Sequence, residues 1–213
     1  VGDNETKAKV MYEIGQIYDK NNLIAKALTS YNDAAELSTD SNVKTKSYYA
    51  MAQIYDDYSR LEPAINNYMT SVSFAGEAEN FNAQSTSLTK IGNILTDKYD
   101  ENAFDFYSEA SNMANVADNS KIKGYVSSNT ADAYVQFQKP QDALKSYFDA
   151  VKNYSDTDST KKVAQNYQKA AQVMAQYGNT DKAKSLLVKA QKHAAQTGDM
   201  ELLAEINSEM SLL

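Results

Sequence analysis

Five side chains of one chemical kind recur along the chain at a near-constant interval: Gln16, Gln53, Asn93, Asp132 and Gln172, separated by 37, 40, 39 and 40 residues. All five present a carbonyl or carboxylate acceptor, and four add an amide donor. Groups of this kind spaced along a surface can pair with the backbone of an extended peptide, giving affinity without demanding one peptide sequence. Exposed helical positions also accept Gln and Asn without any ligand, and the residues alone leave both readings open.

Residues able to make or break bonds are sparse. The single histidine, His193, stands between Lys192 and Ala194 with no second His and no Cys in the chain, and reads as a surface or interface residue. A metal site needs several convergent ligands, and acid–base or nucleophilic chemistry needs a base within hydrogen-bond reach of its partner. Adjacent acids such as Asp56-Asp57 and Asp100-Glu101 do not face one another on a helix and read as charges near helix ends. There is no Gly-rich phosphate loop. The expectation is no enzyme, no catalytic residue, no cofactor and no metal.

Composition narrows the class further. The 213 residues are 42% apolar, enough for a core, with only 7 Gly and 2 Pro to break helices. The net charge is -7, and residues 1–106 hold 9 Lys+Arg against 16 Asp+Glu while residues 107–213 hold 12 against 12. Neither half carries the basic stripe that phosphate backbones require, so no nucleic-acid partner is expected. No apolar run approaches the roughly 18 residues of a membrane span, so no membrane insertion is expected. The chain starts at Val1 rather than Met. The expectation is a piece of a longer protein, cytoplasmic, with an exported or anchored soluble domain left open.

The elements that must position the five polar residues show themselves as a repeat. Gly15, Tyr18, Ala27, Tyr31 and Ala34 form a series of small and aromatic residues that returns as Ala52, Tyr55, Ala64, Tyr68 and Ser71, and as Ala131, Tyr134, Ala143, Tyr147 and Ala150, with identical spacing. A fourth copy, Gly92, Leu95, Ala103, Tyr107 and Ala110, is one residue shorter across the turn; a fifth reads Ala171, Met174, Ala183, Leu187 and Ala190. Small residues at such offsets let two helices approach closely while the larger ones fill the gaps between them. Ser59 to Glu62 has capping-box spacing, Pro140 falls where a first-turn proline is tolerated, and Asp100, Asn179 and Asp181 offer cap or turn oxygens.

These residues resemble the tetratricopeptide repeat over nearly the whole chain. The period is near 40 rather than the roughly 34 of the common form, with the excess assigned to connections such as Ser38–Asn42, Glu79–Asn82 and Ser155–Thr160. Longer repeats of this kind are similar to those of kinesin light chain, of bacterial peptide-sensing regulators and, more distantly, of SNAP-type adaptors. The resemblance implies an all-α, right-handed superhelical solenoid of antiparallel helix pairs: one domain over 1–213, with repeats at about 6–38, 42–78, 82–117, 120–154 and 160–197. Asp199 can cap a further helix over 199–213, read as a capping helix or a truncated sixth repeat.

In that architecture the first helix of each pair lines a concave groove, and the resemblance places there Tyr12, Gln16, Tyr49, Gln53, Asn93, Asn129, Asp132, Lys169 and Gln172. Tyr12 and Tyr49, in adjacent repeats, form a candidate hot spot. Asn93, Asn129 and Lys169 match three positions of the clamp with which chaperone-tail-binding relatives hold a carboxylate. Thr89 and Gln165 replace the other two lysines of that clamp, which removes most of its charge. The acidic N-terminal half suits a basic partner instead. The implied function is a protein-interaction module holding an extended peptide or partner helix. Alternatives are a peptide-gated regulatory domain of a larger protein and a self-associating assembly domain, with the oligomeric state open.

Overall fold

The computed structural model describes residues 2–213. Among them are eleven helices and no strand. Ten helices form five pairs: α1 (Gly2–Lys20) with α2 (Ile24–Leu37), α3 (Ser41–Asp57) with α4 (Leu61–Glu77), α5 (Phe81–Asp97) with α6 (Ala103–Val116), α7 (Ser120–Gln136) with α8 (Pro140–Ser155), and α9 (Thr160–Gln176) with α10 (Thr180–Thr197). A last helix, α11 (Met200–Leu212), follows. The chain divides into two compact units, the first ending at Ala117 and the second running Asp118–Leu213. The first holds three pairs; the second holds two pairs and α11.

The repeated small residues do the packing expected of them. Ala27, Ala52, Ala64, Ala103, Ala131, Ala143, Ala171 and Ala183 are all buried, as are the rings of Tyr31, Tyr68, Tyr107 and Tyr147. Where the first small residue is Gly15, a methyl group there would lie 2.7 Å from the Tyr31 ring, too close for any carbon contact. Glycine at that position is the space the tyrosine fills.

The turns within pairs share one mechanism. Each first helix ends in a left-handed residue, Asn22, Ser59, Tyr99, Gln138 or Gly178, and the next backbone N–H reaches back five residues to a carbonyl, as in Arg60 N–H to Tyr55 O at 2.7 Å and Asn179 N–H to Met174 O at 2.9 Å. This is the Schellman stop, which satisfies helix-end carbonyls and favours glycine at the left-handed position. Only Gly178 supplies it; Ser59, Tyr99 and Gln138 hold that conformation against side-chain crowding. Ser59→Gly and Gln138→Gly are each expected to stabilise the fold by about 0.5–1 kcal/mol, checked by an increased urea midpoint at unchanged slope.

The Schellman geometry overturns the capping box expected at Ser59 to Glu62. Ser59 is the left-handed stop of α3, and α4 starts after Arg60 with no side-chain cap. Asn179 likewise precedes α10 without a side-chain cap bond. Pro140 does open α8, the Asp100 side chain accepts from Asn102 N–H at 3.0 Å, and Asp199 caps α11 by accepting from Leu202 N–H at 3.0 Å. Asx capping is instead concentrated at the starts of first helices, where Asp40, Asn80 and Asn119 accept from Asn42, Ala83 and Ile122.

The repeat length also resides elsewhere than expected. The link 38–40 between pairs is no longer than the turn 21–23 within a pair, and α3, α4, α5, α7 and α9 each run 17 residues, about 25 Å at 1.5 Å per residue. The excess over a common repeat lies in the helices. In the third pair the missing residue is absorbed at the start of α6. Ala103, Phe104 and Asp105 N–H donate to carbonyls three residues back, at 3.1 Å each, whereas Ala27, Ala64, Ala143 and Ala183 reach four back. A tighter 3₁₀-type opening thus returns Ala103 to the register of its counterparts.

Candidate functional site

The first unit sets α1, α3 and α5 with their signature residues Gly15, Ala52 and Gly92 in equivalent places, so each neighbouring position repeats across the three helices. Three residues before the small residue stand Tyr12 and Tyr49; one after it stand Gln16, Gln53 and Asn93; four after it stand Asp19 and Asp56. Tyr12 packs on Tyr31 with ring centroids 5.5 Å apart, and Tyr49 packs edge-on against Tyr68 at the same distance. Each of these tyrosines is therefore seated on the tyrosine of its own pair.

Tyr12 and Tyr49 line one open cavity of about 330 Å³ together with Thr45, Lys46, Ser71, Asn80, Asn82, Ala83 and Thr86. Its wall is mainly carbon. A second cavity of about 410 Å³ adjoins it and shares Tyr12 and Lys46; its other walls are Lys9, Glu13, Gln16, Asp40, Asn42 and Val43. The first is an open apolar pocket with a few polar groups, within the range of about 300–1,000 Å³ that ligand sites occupy; the second is mainly polar. Lys9 and Lys46 stand six residues before Gly15 and Ala52, so the offset that located the tyrosines also locates two lining lysines. Asn80, Asn82 and Ala83 carry no such periodic mark.

The polar row is engaged unevenly. Gln16 and Gln53 are exposed, and the nearest partner of the Gln16 amide is the Tyr12 hydroxyl at 3.5 Å. Asn93 is held: its Oδ1 accepts the Tyr107 hydroxyl at 2.8 Å. Gln53→Ala is therefore expected to leave stability within about 0.5 kcal/mol of the parent. Asn93→Ala is expected to cost about 0.5–1.5 kcal/mol through the lost Tyr107 bond, a contrast that thermal melts of the two variants resolve.

The second unit binds its own polar row together. Asp132 receives both carboxylate contacts of Lys169, at 2.6 and 2.9 Å, and the Tyr147 hydroxyl at 2.6 Å. Burial, and then the Asp132 charge, push the Tyr147 phenol far above its ordinary range, so it remains a donor. Gln172 and Gln168 both donate to Glu209 Oε1 of α11, at 2.8 and 2.7 Å. Asn129 donates to Tyr125 O at 2.8 Å. Lys169, one of the three clamp positions, thus spends its charge on Asp132. Glu209 stands 40 residues after Lys169, at the offset that Asn129 and Lys169 share, but the sequence reading extended that offset only to the five complete pairs.

His193 is half-buried and stacks on Tyr167, with ring centroids 5.8 Å apart and Lys189 also over that ring. Among the described residues no group of three or more His, Asp or Glu side chains converges to hold a metal ion, and no helix is long and apolar enough to cross a membrane.

Comparison with solved structures decides the fold. The structure of BtubC (BKLC) from P. vanneervenii matches at a TM-score of 0.79 with 18% identity, covering 92% of this chain and 83% of that one. A Podosopora anserina kinesin light chain with nearly identical TPR-like repeats matches at 0.68 with 13% identity, covering 89% and 95%. The chain has a tetratricopeptide-like fold. A Rap protein complexed with Competence and Sporulation Factor shares this TPR-like arrangement at a TM-score of 0.74 and 17% identity, covering 94% of this chain and 57% of that one. This chain therefore spans little more than half the length of that neighbour. No family model and no curated protein matches the sequence.

Proposed function

We propose that the chain is a protein-interaction module that holds an extended peptide on the α1, α3 and α5 face of its first unit, carrying out no reaction itself. The observation that carries this reading is the convergence of Tyr12 and Tyr49 on one open apolar cavity, beside the exposed amides of Gln16 and Gln53. Two tyrosines seated on buried rings offer a rigid, amphipathic anchor point that gains area at little entropic loss. The amides supply partners for a peptide backbone without fixing its sequence. In the second unit Asp132, Lys169 and Gln172 already satisfy one another or Glu209, so a ligand there would have to displace charge-assisted bonds. The Rap neighbour, solved with a bound factor, is a precedent for ligand holding by this fold.

The test is selection of random octapeptides displayed on phage against the whole immobilised protein, in parallel with its Tyr49→Ala variant. Enrichment of peptides on the parent that is lost on the variant supports the reading. No enrichment on the parent, or equal enrichment on both, overturns it.

A further inference from the structure

The face just described carries its charges in an order that the fold does not ask for. Asp19 lies in the last turn of α1, Asp56 and Asp57 in the last turn of α3, and Asp97 in the last turn of α5. Helix C-termini carry partial negative charge and are stabilised by cations, so acids there oppose the helix dipole. Lys20 is the only basic residue in these last turns, and neither α3 nor α5 has one. The second unit shows no such arrangement, since the last turns of α7 and α9 end in Gln136 and Gln176 without any acid.

These acids also act on one another. Burial raises the Asp19 carboxyl, and the Asp57 charge raises it further. Burial likewise raises Asp56, with Lys90 opposing and Asp57 and Asp97 adding to the rise. Four carboxylates drawn from three successive first helices therefore form one edge of the face. The cavity of Tyr12 and Tyr49 lies earlier along the same helices, with Lys46 in its wall and Lys9 in the wall of the adjoining cavity, and neither lysine has an ion-pair partner among the described residues. Along α1 and α3 the order is lysine, tyrosine, amide, aspartate.

We propose that this face selects a peptide segment carrying a lysine or arginine about three positions from a large apolar side chain, the apolar group filling the Tyr12 and Tyr49 cavity and the cation meeting Asp19, Asp56, Asp57 and Asp97. The spacing comes from the helix itself. Tyr49 and Asp56 are seven residues apart, about 10 Å of helix rise, and an extended peptide covers about 3.3 Å per residue. Charge complementarity decides the occupant: a cationic group relieves the repulsion among the aspartates, whereas an acidic one adds to it. The inference rests on the groove reading above, since the cavity is the same.

The stability consequence has a definite sign. A carboxyl whose folded value is raised favours the fold when protonated. Its penalty is absent below the unfolded carboxyl range, grows as pH rises and is complete above the raised folded value. The double variant Asp19→Asn with Asp56→Asn is therefore expected to melt higher than the parent at pH 7, with the difference vanishing near pH 3. Loss of binding in this variant is then no sign of misfolding.

The experiment uses the octapeptides selected on the whole protein. Their sequences are expected to be enriched in Lys or Arg, and depleted in Asp and Glu, three positions from Leu, Met, Phe or Tyr. A synthetic peptide from that set is expected to lose at least about tenfold in affinity when its basic residue becomes Glu. It is also expected to lose about tenfold against the double Asn variant, and to weaken as salt rises from about 0.05 M to about 0.5 M. Peptides that bind through Tyr49 yet show no charge preference, or prefer acids, overturn this inference and leave the groove reading standing. Absence of any selected peptide overturns both.

Discussion

Ala143→Leu is expected to destabilise the second unit by about 1–3 kcal/mol, the range for forcing extra methylenes into a filled core. Ala143 is fully buried in the cluster that also holds Ala131, Tyr147, Ala164, Ala170 and Ala171. Ala131 stands across the same pair interface and is also fully buried, so Ala131→Leu is expected to fall in the same range. No side chain there is free to move outward, because the interface is set by the backbone approach that alanine permits. Val188 of α10 is 54% exposed and provides the control, with Val188→Leu expected within about 0.5 kcal/mol of the parent. Urea unfolding monitored by circular dichroism measures all three, and losses near zero at Ala131 and Ala143 would show that the repeat register does not set the packing.

The second large effect falls on binding. Tyr49→Ala is expected to weaken selected octapeptides by about 30-fold, corresponding to about 2 kcal/mol for a hot-spot tyrosine. The ring walls the cavity and rests edge-on against Tyr68. Its removal takes away both the contact area and the support that keeps the neighbouring ring in place. Tyr49→Phe keeps the ring and is expected to retain affinity within about threefold. Fluorescence anisotropy with a labelled octapeptide separates the two variants, and equal loss in both would assign the effect to the hydroxyl rather than the ring.

The fold was legible because its information is periodic. Gly15, Ala52, Gly92, Ala131 and Ala171 mark where two backbones meet, and one ruler laid along the sequence locates every first helix and its partner. What residue types do not encode is conformational. Ser59 has the residue type of a cap and the spacing of a capping box, but its backbone is left-handed at φ 55°, and side-chain identity says little about that. The shortened interval from Gly92 to Ala103 was visible as a number, while the three-residue hydrogen bonds that absorb it were not. Polar runs resemble loops, which assigns the extra repeat length to the connections; the links between pairs are only three or four residues long and the helices take up the rest.

The candidate site was legible in part and for the same reason. Tyr12 and Tyr49 occupy one repeated offset, and the structure brings both to one cavity. The bond from Tyr147 to Asp132 repeats that from Tyr107 to Asn93 at equivalent positions, whereas the engagement of Gln172 and Gln168 by Glu209, and of Asp132 by Lys169, depends on residue types and rotamers that an offset alone does not fix. Five similar residues in sequence thus became two groups in space, Gln16 and Gln53 exposed, Asn93, Asp132 and Gln172 held.

That division is the central claim, and calorimetric titration of one selected octapeptide into three whole proteins tests it most directly: the parent, a first-unit variant with Tyr49→Ala and Gln53→Ala, and a second-unit variant with Gln172→Ala. Binding is expected to fall by more than about tenfold in the first variant and to stay at the parental value in the second. Loss in the Gln172 variant with parental affinity in the Tyr49 and Gln53 variant would contradict it.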